Sequence, residues 1–344
     1  MKRTLALLLG GALLFLLCAC AQTQEQTQEQ TQPQQEQPQE PVRFAVLSGP
    51  TGVGAAALME ENENGETAGQ YEVTVAASND EVLAGLTGPE PEFDIAAMAT
   101  NVAANLYGKT SGAVRMLTVN GLGVLYILER EGESVNSIKD LRGRTLYAMG
   151  EGANPEYVLA YLLEKNGLDP ETDLEIVWKT PEEITAMMIS GQAELCMLPV
   201  PAATALCVKA ASGENPVTVR TALDLNEQWD AVTPDSSLVM SCTVVRTGWA
   251  EQNGQAVADF LADYERSIRT VSENPRQAAP AVARFGLAPS EAIAEKAIPD
   301  CSLTFISGAQ AMKEAVQGYF EVLFDADPAS IGGQLPDDAF YYEP

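Results

Sequence analysis

Arg43-Phe44-Ala45-Val46-Leu47, running into Ser48-Gly49-Pro50-Thr51-Gly52, is the stretch that decides the fold. Five residues with an apolar centre predict a short buried strand, the glycines and proline predict a tight turn, and a helix is expected from about Val53 to Glu60. Strand, glycine-rich turn and helix in that order begin a parallel α/β sheet, whose carboxyl edge is where such sheets bind ligands.

The same grammar repeats downstream. A second strand, Tyr71 to Ala76, ends in Ala77-Ser78-Asn79-Asp80, polar residues suited to capping a helix that carries Val82, Leu83 and Leu86. A third, Phe93 to Ala97, delivers Met98-Ala99-Thr100-Asn101 as a loop ahead of a helix from Val102 to Tyr107. Strands are expected at Val114 to Thr118 and Val124 to Leu128, with Asn120-Gly121-Leu122-Gly123 between them giving the chain freedom to change direction. After a short capped helix at Ser137 to Leu141 come a strand at Arg144 to Met149, a turn at Gly150-Glu151-Gly152-Ala153-Asn154, and a helix opened by Pro155 and closed by Gly167. A strand at Leu174 to Trp178, a helix at Pro181 to Ser190, a strand at Glu194 to Leu198 and a helix at Pro201 to Lys209 follow. An apolar strand, Val239 to Arg246, precedes a region read as helices only: Glu251 to Glu273, Arg276 to Phe285, Ser290 to Ala297 and Ala309 to Leu323. In the first of these, Val257, Phe260, Leu261, Tyr264 and Ile268 recur at helical spacing and form a core stripe.

Residues 1–19 read as an export signal. Lys2 and Arg3 are followed by a nearly unbroken apolar run from Leu5 to Leu17, too short to be expected as a membrane span. Leu17-Cys18-Ala19-Cys20 resembles a bacterial lipoprotein cleavage box, which implies cleavage before Cys20 and a lipid on its sulfur; Cys18 fits less well because bulky Leu17 would adjoin the cut. Acyl chains of this kind anchor firmly, palmitate among them, at about 0.8 kcal/mol per buried methylene. Residues 20–41, almost all Gln, Glu, Thr and Pro, hold nothing apolar to bury and are expected to be a disordered tether.

Composition excludes several function classes. With 48 acidic against 20 basic residues the net charge is −28, which disfavours nucleic acid as a partner. Histidine is absent, so His-rich zinc catalysis and Ser-His-Asp or Cys-His constellations are ruled out within the chain. No Cys-x-x-Cys pair occurs among Cys196, Cys207, Cys242 and Cys301; Cys242 with Cys301 is the preferred disulfide, set against four buried free thiols. Gly49-Pro50-Thr51-Gly52-Val53-Gly54 lacks the Gly-Lys-Ser/Thr of a nucleotide loop, and Gly150-Glu151-Gly152 lacks dinucleotide spacing. No cofactor, metal or catalytic set is assigned, and a carboxylate enzyme built on Glu151 and Glu156 is the weakest reading.

Four stretches together carry a resemblance: Val46 to Gly52, Asp94 to Tyr107, Ile138 to Thr145 and Cys196 to Pro201. They look like type II periplasmic binding proteins, and more narrowly resemble the importer substrate-binding lipoproteins grouped with nitrate, sulfonate and taurine receptors and with receptors for the thiamine pyrimidine precursor. The resemblance implies an α/β, two-lobed fold, each lobe a mixed sheet flanked by helices, with lobe 1 at 42–121 plus 239–344 and lobe 2 at 122–238. It implies a monomer, extracytoplasmic and held to the membrane by its lipid alone, that closes on a solute and presents it to an ABC permease and its ATPase. A ligand-sensing receptor on the same fold, presenting its closed form to a signalling partner, is the runner-up. Mapped residue by residue, the cleft would be lined by Ser48, Thr51, Gly52, Met98, Thr100, Asn101, Asn154, Glu156, Pro199 and Val200. Thr51, Thr100, Asn101 and Asn154 would hydrogen-bond the solute, and Met98, Pro199 and Val200 would form the wall. None of these loops holds Arg or Lys, so a neutral or amine-bearing small molecule, such as a heterocycle, is favoured over a strong anion.

Overall fold

A computed structural model describes residues 40–343, Glu214 and Asp235 aside. The expected export signal, Cys20 and the Gln-rich tether lie outside the described residues.

The chain opens with β1 (Val42–Leu47), α1 (Pro50–Val53), α2 (Ala56–Asn64), β2 (Tyr71–Ala76), α3 (Asn79–Thr87), β3 (Ile95–Ala99), α4 (Thr100–Thr110) and β4 (Val114–Gly121). It continues through β5 (Leu125–Arg130), a 3-10 turn (Ile138–Leu141), β6 (Thr145–Ala148), α5 (Asn154–Lys165), β7 (Glu175–Trp178), α6 (Pro181–Ser190), β8 (Leu195–Pro199) and α7 (Ala202–Ser212). Next come β9 (Val219–Asp224), α8 (Leu225–Val232), β10 (Ser241–Arg246), α9 (Thr247–Ala250), α10 (Gly254–Glu273), α11 (Pro275–Arg284) and α12 (Glu291–Ala297). A 3-10 turn (Ile298–Cys301), β11 (Leu303–Ser307) and α13 (Ala309–Ala326) close the main body.

Two sheets result. The first has the order β11-β4-β10-β3-β1-β2, the second β7-β6-β8-β5-β9. Each joins a parallel unit to antiparallel strands: β1 runs parallel to β2 and β3, and β6 parallel to β7 and β8. β10 lies antiparallel between β3 and β4, and β5 antiparallel between β8 and β9. Residues 122–124 lead from the first sheet to the second, and the segment after α8 leads back into β10. The mixed α/β class with two sheets flanked by helices is therefore as expected.

Local punctuation explains much of the helix placement. Ser78 caps α3 by accepting from Glu81 N, and Thr180 and Glu183 form a reciprocal capping box at α6. Gly191 ends α6 in the left-handed region, where a side chain is disfavoured. The α10 stripe packs on the first sheet: Val257, Phe260, Tyr264 and Ile268 are buried and Leu261 is half-buried. Phe44 meets the Phe260 ring edge-on at 4.9 Å, and Tyr264 stacks on Phe260 at 5.3 Å. Burying one such side chain is worth roughly 1.5–3 kcal/mol.

Several expectations require correction. The helix expected from Val53 starts at Pro50 and is broken at Gly54-Ala55, so the supposed loop 48–52 is half helical. The supposed loop 98–101 is no loop either: Met98 and Ala99 stay in β3, because β10 pairs with it up to Ala99, and Thr100 and Asn101 open α4. The edge strands β9 and β11 and helix α8 were not expected at all. The Cys242–Cys301 disulfide is not formed. All four described cysteines are free thiols, with Cys242 on β10 in one apolar cluster and Cys301 in the other, its Sγ donating to Ala297 O at 3.3 Å.

Candidate functional site

At the carboxyl ends of β3 and β8 the antiparallel partners β10 and β5 begin. In the first sheet β1 ends at Leu47 and β3 at Ala99, where Ser241, the first residue of β10, pairs with it and with Gly121 at the end of β4. In the second sheet β8 ends at Pro199 opposite Leu125, the start of β5, and β6 ends at Ala148.

After β1, Gly49 takes φ +89, open to glycine but strained for other residues. Gly52 has no room for more: a Cβ there would stand 2.2 Å from Leu47 O. The turn is thus shaped by backbone demands. Ser48 on it is exposed, and Thr51 is half-buried in α1, which packs beside the 3-10 turn at Ile298–Cys301.

After β3, burial is complete. Met98 and Thr100 are 0% exposed and Asn101 is 7% exposed. Thr100 N donates to Met240 O at 3.2 Å, which holds the start of α4 against the approach to β10. Its hydroxyl lies beside the Cys242 thiol, itself pushed up to about 12 by burial, yet no hydrogen bond of ordinary geometry satisfies Oγ1. Asn101 Oδ1 likewise has no partner.

After β6, Gly150 and Gly152 adopt positive φ and lead to Asn154 at the start of α5. Asn154 is 5% exposed; its Oδ1 accepts from the Tyr319 hydroxyl on α13, and its Nδ2 has no partner. Burial pushes the Tyr319 phenol up. α13 packs on β4 and β11 of the first sheet, whereas α5 follows a strand of the second. The Tyr319–Asn154 bond therefore connects a helix packed on the first sheet to a helix that follows a strand of the second. Glu156 turns back instead, accepting from Gly152 N at 2.5 Å, and so braces its own turn. Pro199 is half-buried and Val200 is 1% exposed, at the end of β8.

The structure thus ties Asn154 to Tyr319, places Met98 and Asn101 beside Thr100 in the chain, and commits Glu156 to a local bond. Thr51 reaches the edge of the first sheet from its other face: Val53 of α1 belongs to the cluster packed by α10, whereas α4 feeds the cluster that contains Met98, Cys242 and Tyr319. Tyr319 was not singled out from sequence, and Cys242 was singled out only as half of a disulfide that is not formed. Tyr319 falls on the buried stripe of α13, which reads as packing, and nothing local marks its partner. A separate groove of about 1010 Å³ runs between the less buried faces of α5 and α13. Glu156 is the one expected site residue in it, and the carboxylates of Glu164, Glu314, Glu321 and Asp325 share its lining. Among the described residues no group of His, Cys, Asp and Glu is arranged to hold a metal, and no helix is long and apolar enough to cross a membrane.

Comparison with known proteins bears on this arrangement. A crystal structure of an ABC transporter protein from Parabacteroides distasonis superposes with a TM-score of 0.72 at 24% identity, covering 89% of this chain and 99% of that one. The periplasmic aliphatic sulphonate binding protein SsuA of Escherichia coli gives 0.66 at 16% identity, over 89% and 93% of the two chains. The chain has the fold of the periplasmic substrate-binding proteins. More distant members of that fold include the periplasmic nitrate-binding protein NrtA of Synechocystis PCC 6803, with a TM-score of 0.52 at 13% identity over 79% and 74% of the chains. The family model described as NMT1/THI5 like matches residues 114–278, from the first residue of β4 into α11. Both findings fall in the group that the sequence resembles. No curated protein sequence matches the chain.

Proposed function

We propose that this protein captures a small solute between two lobes and delivers it to an ABC importer. One observation carries the reading: Thr100 Oγ1, Asn101 Oδ1 and Asn154 Nδ2 are buried without hydrogen-bond partners at strand ends of the binding-protein fold. A buried polar atom left unpaired costs about 1–3 kcal/mol. Of the seven such atoms among the described residues, these three lie after parallel strands, at the carboxyl edges where α/β sheets bind ligands, and are supported best as places for a solute's polar groups.

Orphaned atoms of both kinds, an amide donor and carbonyl and hydroxyl oxygens, suit a neutral solute carrying donor and acceptor, or an amine. None of the expected site residues is cationic, which argues against a sulfonate or nitrate, the solutes named for two of the structural neighbours. In this reading lobe 1 comprises 42–121 with 239–344 and lobe 2 comprises 122–238. A solute touching both favours the closed state by its differential affinity. The chain acts as a monomeric receptor outside the cytoplasm, anchored through a lipid on Cys20, and catalyses nothing.

A thermal-shift panel of amines, pyrimidines, sulfonates and amino acids tests it. At a hundredfold excess over Kd a ligand adds about 2.7 kcal/mol, a rise of roughly 4 °C for a chain of this size. Neutral pyrimidines or amines are expected to produce that rise and sulfonates none; a flat response across the panel refutes the proposal.

A further inference from the structure

A carboxamide has two faces for hydrogen bonding, and the partner of one decides what the other offers. Asn154 Oδ1 accepts from the Tyr319 hydroxyl, so Nδ2, a donor, is the atom left over. Tyr319 has little freedom to release it. The residue is 0% exposed, and the Trp229 ring stands 5.8 Å from its own. Trp229 is fixed in turn, its Nε1 donating to Ser236 O at 3.0 Å and its ring packed 4.9 Å from that of Tyr161. Flipping the Asn154 amide would set its N–H groups against the hydroxyl and force that group to accept instead, leaving Oδ1 unpaired in its turn.

We infer that Tyr319 is a specificity-determining positioning residue: by holding Asn154 Oδ1 it fixes Nδ2 as the atom that meets the solute, so the solute must bring a hydrogen-bond acceptor to that point. The inference rests on the receptor reading above and sharpens it. Asn101 Oδ1, also buried and unpartnered, asks the opposite of the solute, a donor. A purely structural Tyr319 would weaken every solute alike when altered. A positioning Tyr319 changes the preference between solutes.

The test is calorimetric titration of the full chain with pyrimidin-2-one and 2-aminopyrimidine. These are uncharged rings of one shape in which the donor and acceptor are exchanged: a carbonyl acceptor beside a ring N–H in the first, an amino donor beside ring nitrogen acceptors in the second. Wild type is expected to favour the carbonyl ring by about tenfold, the effect of one satisfied against one opposed buried hydrogen bond. Tyr319→Phe, which removes only the hydroxyl, is expected to bring the ratio within about twofold by freeing the amide to turn. Asn154→Asp keeps an acceptor for Tyr319 and replaces the donor facing the solute by an oxygen, so the preference is expected to reverse. An unchanged ratio in Tyr319→Phe, a wild type that favours the amino ring, or a wild type that binds neither ring while binding another member of the panel overturns the inference and leaves the receptor reading standing. Absence of binding by every solute of the panel defeats the receptor reading itself.

Discussion

Asp263 and Asn154 are both buried and both polar, yet their surroundings treat them in opposite ways. Asp263, on α10, accepts from Ala68 N at 3.2 Å, Gly69 N at 3.0 Å, the Tyr71 hydroxyl at 2.7 Å and Arg266 at 2.7 Å. Burial pushes its carboxyl up, but the bonds from Gly69, Tyr71, Ala68 and Arg266 together outweigh that and hold it below the usual carboxylate range. Glu129 follows the same pattern, its burial outweighed by bonds from Ser134, Val135 and Arg220. At the strand ends the neutral side chains of Thr100, Asn101 and Asn154 are buried with an atom each left unpaired. The contrast separates polar groups that stabilise the fold from polar groups that burden it, a burden that the proposed solute would relieve.

The largest way to break this contrast is Asp263→Ala. It strips Ala68 N, Gly69 N and the Tyr71 hydroxyl of their acceptor and leaves Arg266 with Glu61 alone, and urea unfolding is expected to show a loss of about 3–5 kcal/mol. The pH dependence follows in sign. A carboxylate whose folded pKa is depressed contributes stability above its unfolded pKa, near 4, and loses that contribution as pH falls through the lower folded value. Wild type is therefore expected to lose stability progressively below about pH 4, with a shallower slope for Asp263→Asn. An equal slope in both would show that Asp263 is not the group responsible.

At the strand ends the sign reverses. Thr100→Val removes the orphaned hydroxyl at nearly constant volume and is expected to gain about 1 kcal/mol in urea unfolding. A loss of similar size would mean that Oγ1 has a partner in the folded protein. The smallest effect belongs to the exposed Arg142–Asp173 ion pair, whose Arg side chain is 55% exposed. Arg142→Ala is expected to change stability by less than about 1 kcal/mol, and less again at high salt.

These partnerships differ in how far the sequence announces them. The strand-turn-helix order from Arg43 to Thr100 was legible because caps, glycines and apolar runs agree locally, and α6 ends where Gly191 said it would. Val219–Asp224 and Leu303–Ser307 were missed because each is an edge strand with one neighbour in its sheet, β5 or β4, and neither shows a buried apolar run. Met98 and Ala99 were placed in a loop because the pairing that keeps them extended comes from β10, far along the chain. The polar candidates Thr100, Asn101 and Asn154 came from the family resemblance, as polar residues expected after strands. Tyr319 did not stand out, since a tyrosine on a helical apolar stripe reads as packing until the fold brings Asn154 against it. Asp263 was hidden for the same reason, its backbone donors lying on the loop before β2.

The account turns on whether the unpaired atoms at the strand ends exist for a solute. Calorimetric titration of wild type and Thr100→Val, with the solute that most raises the melting temperature of wild type, tests this directly when paired with urea unfolding of both proteins. The prediction is a variant at least as stable as wild type that binds about tenfold more weakly or worse. A variant that keeps wild-type affinity would contradict the account.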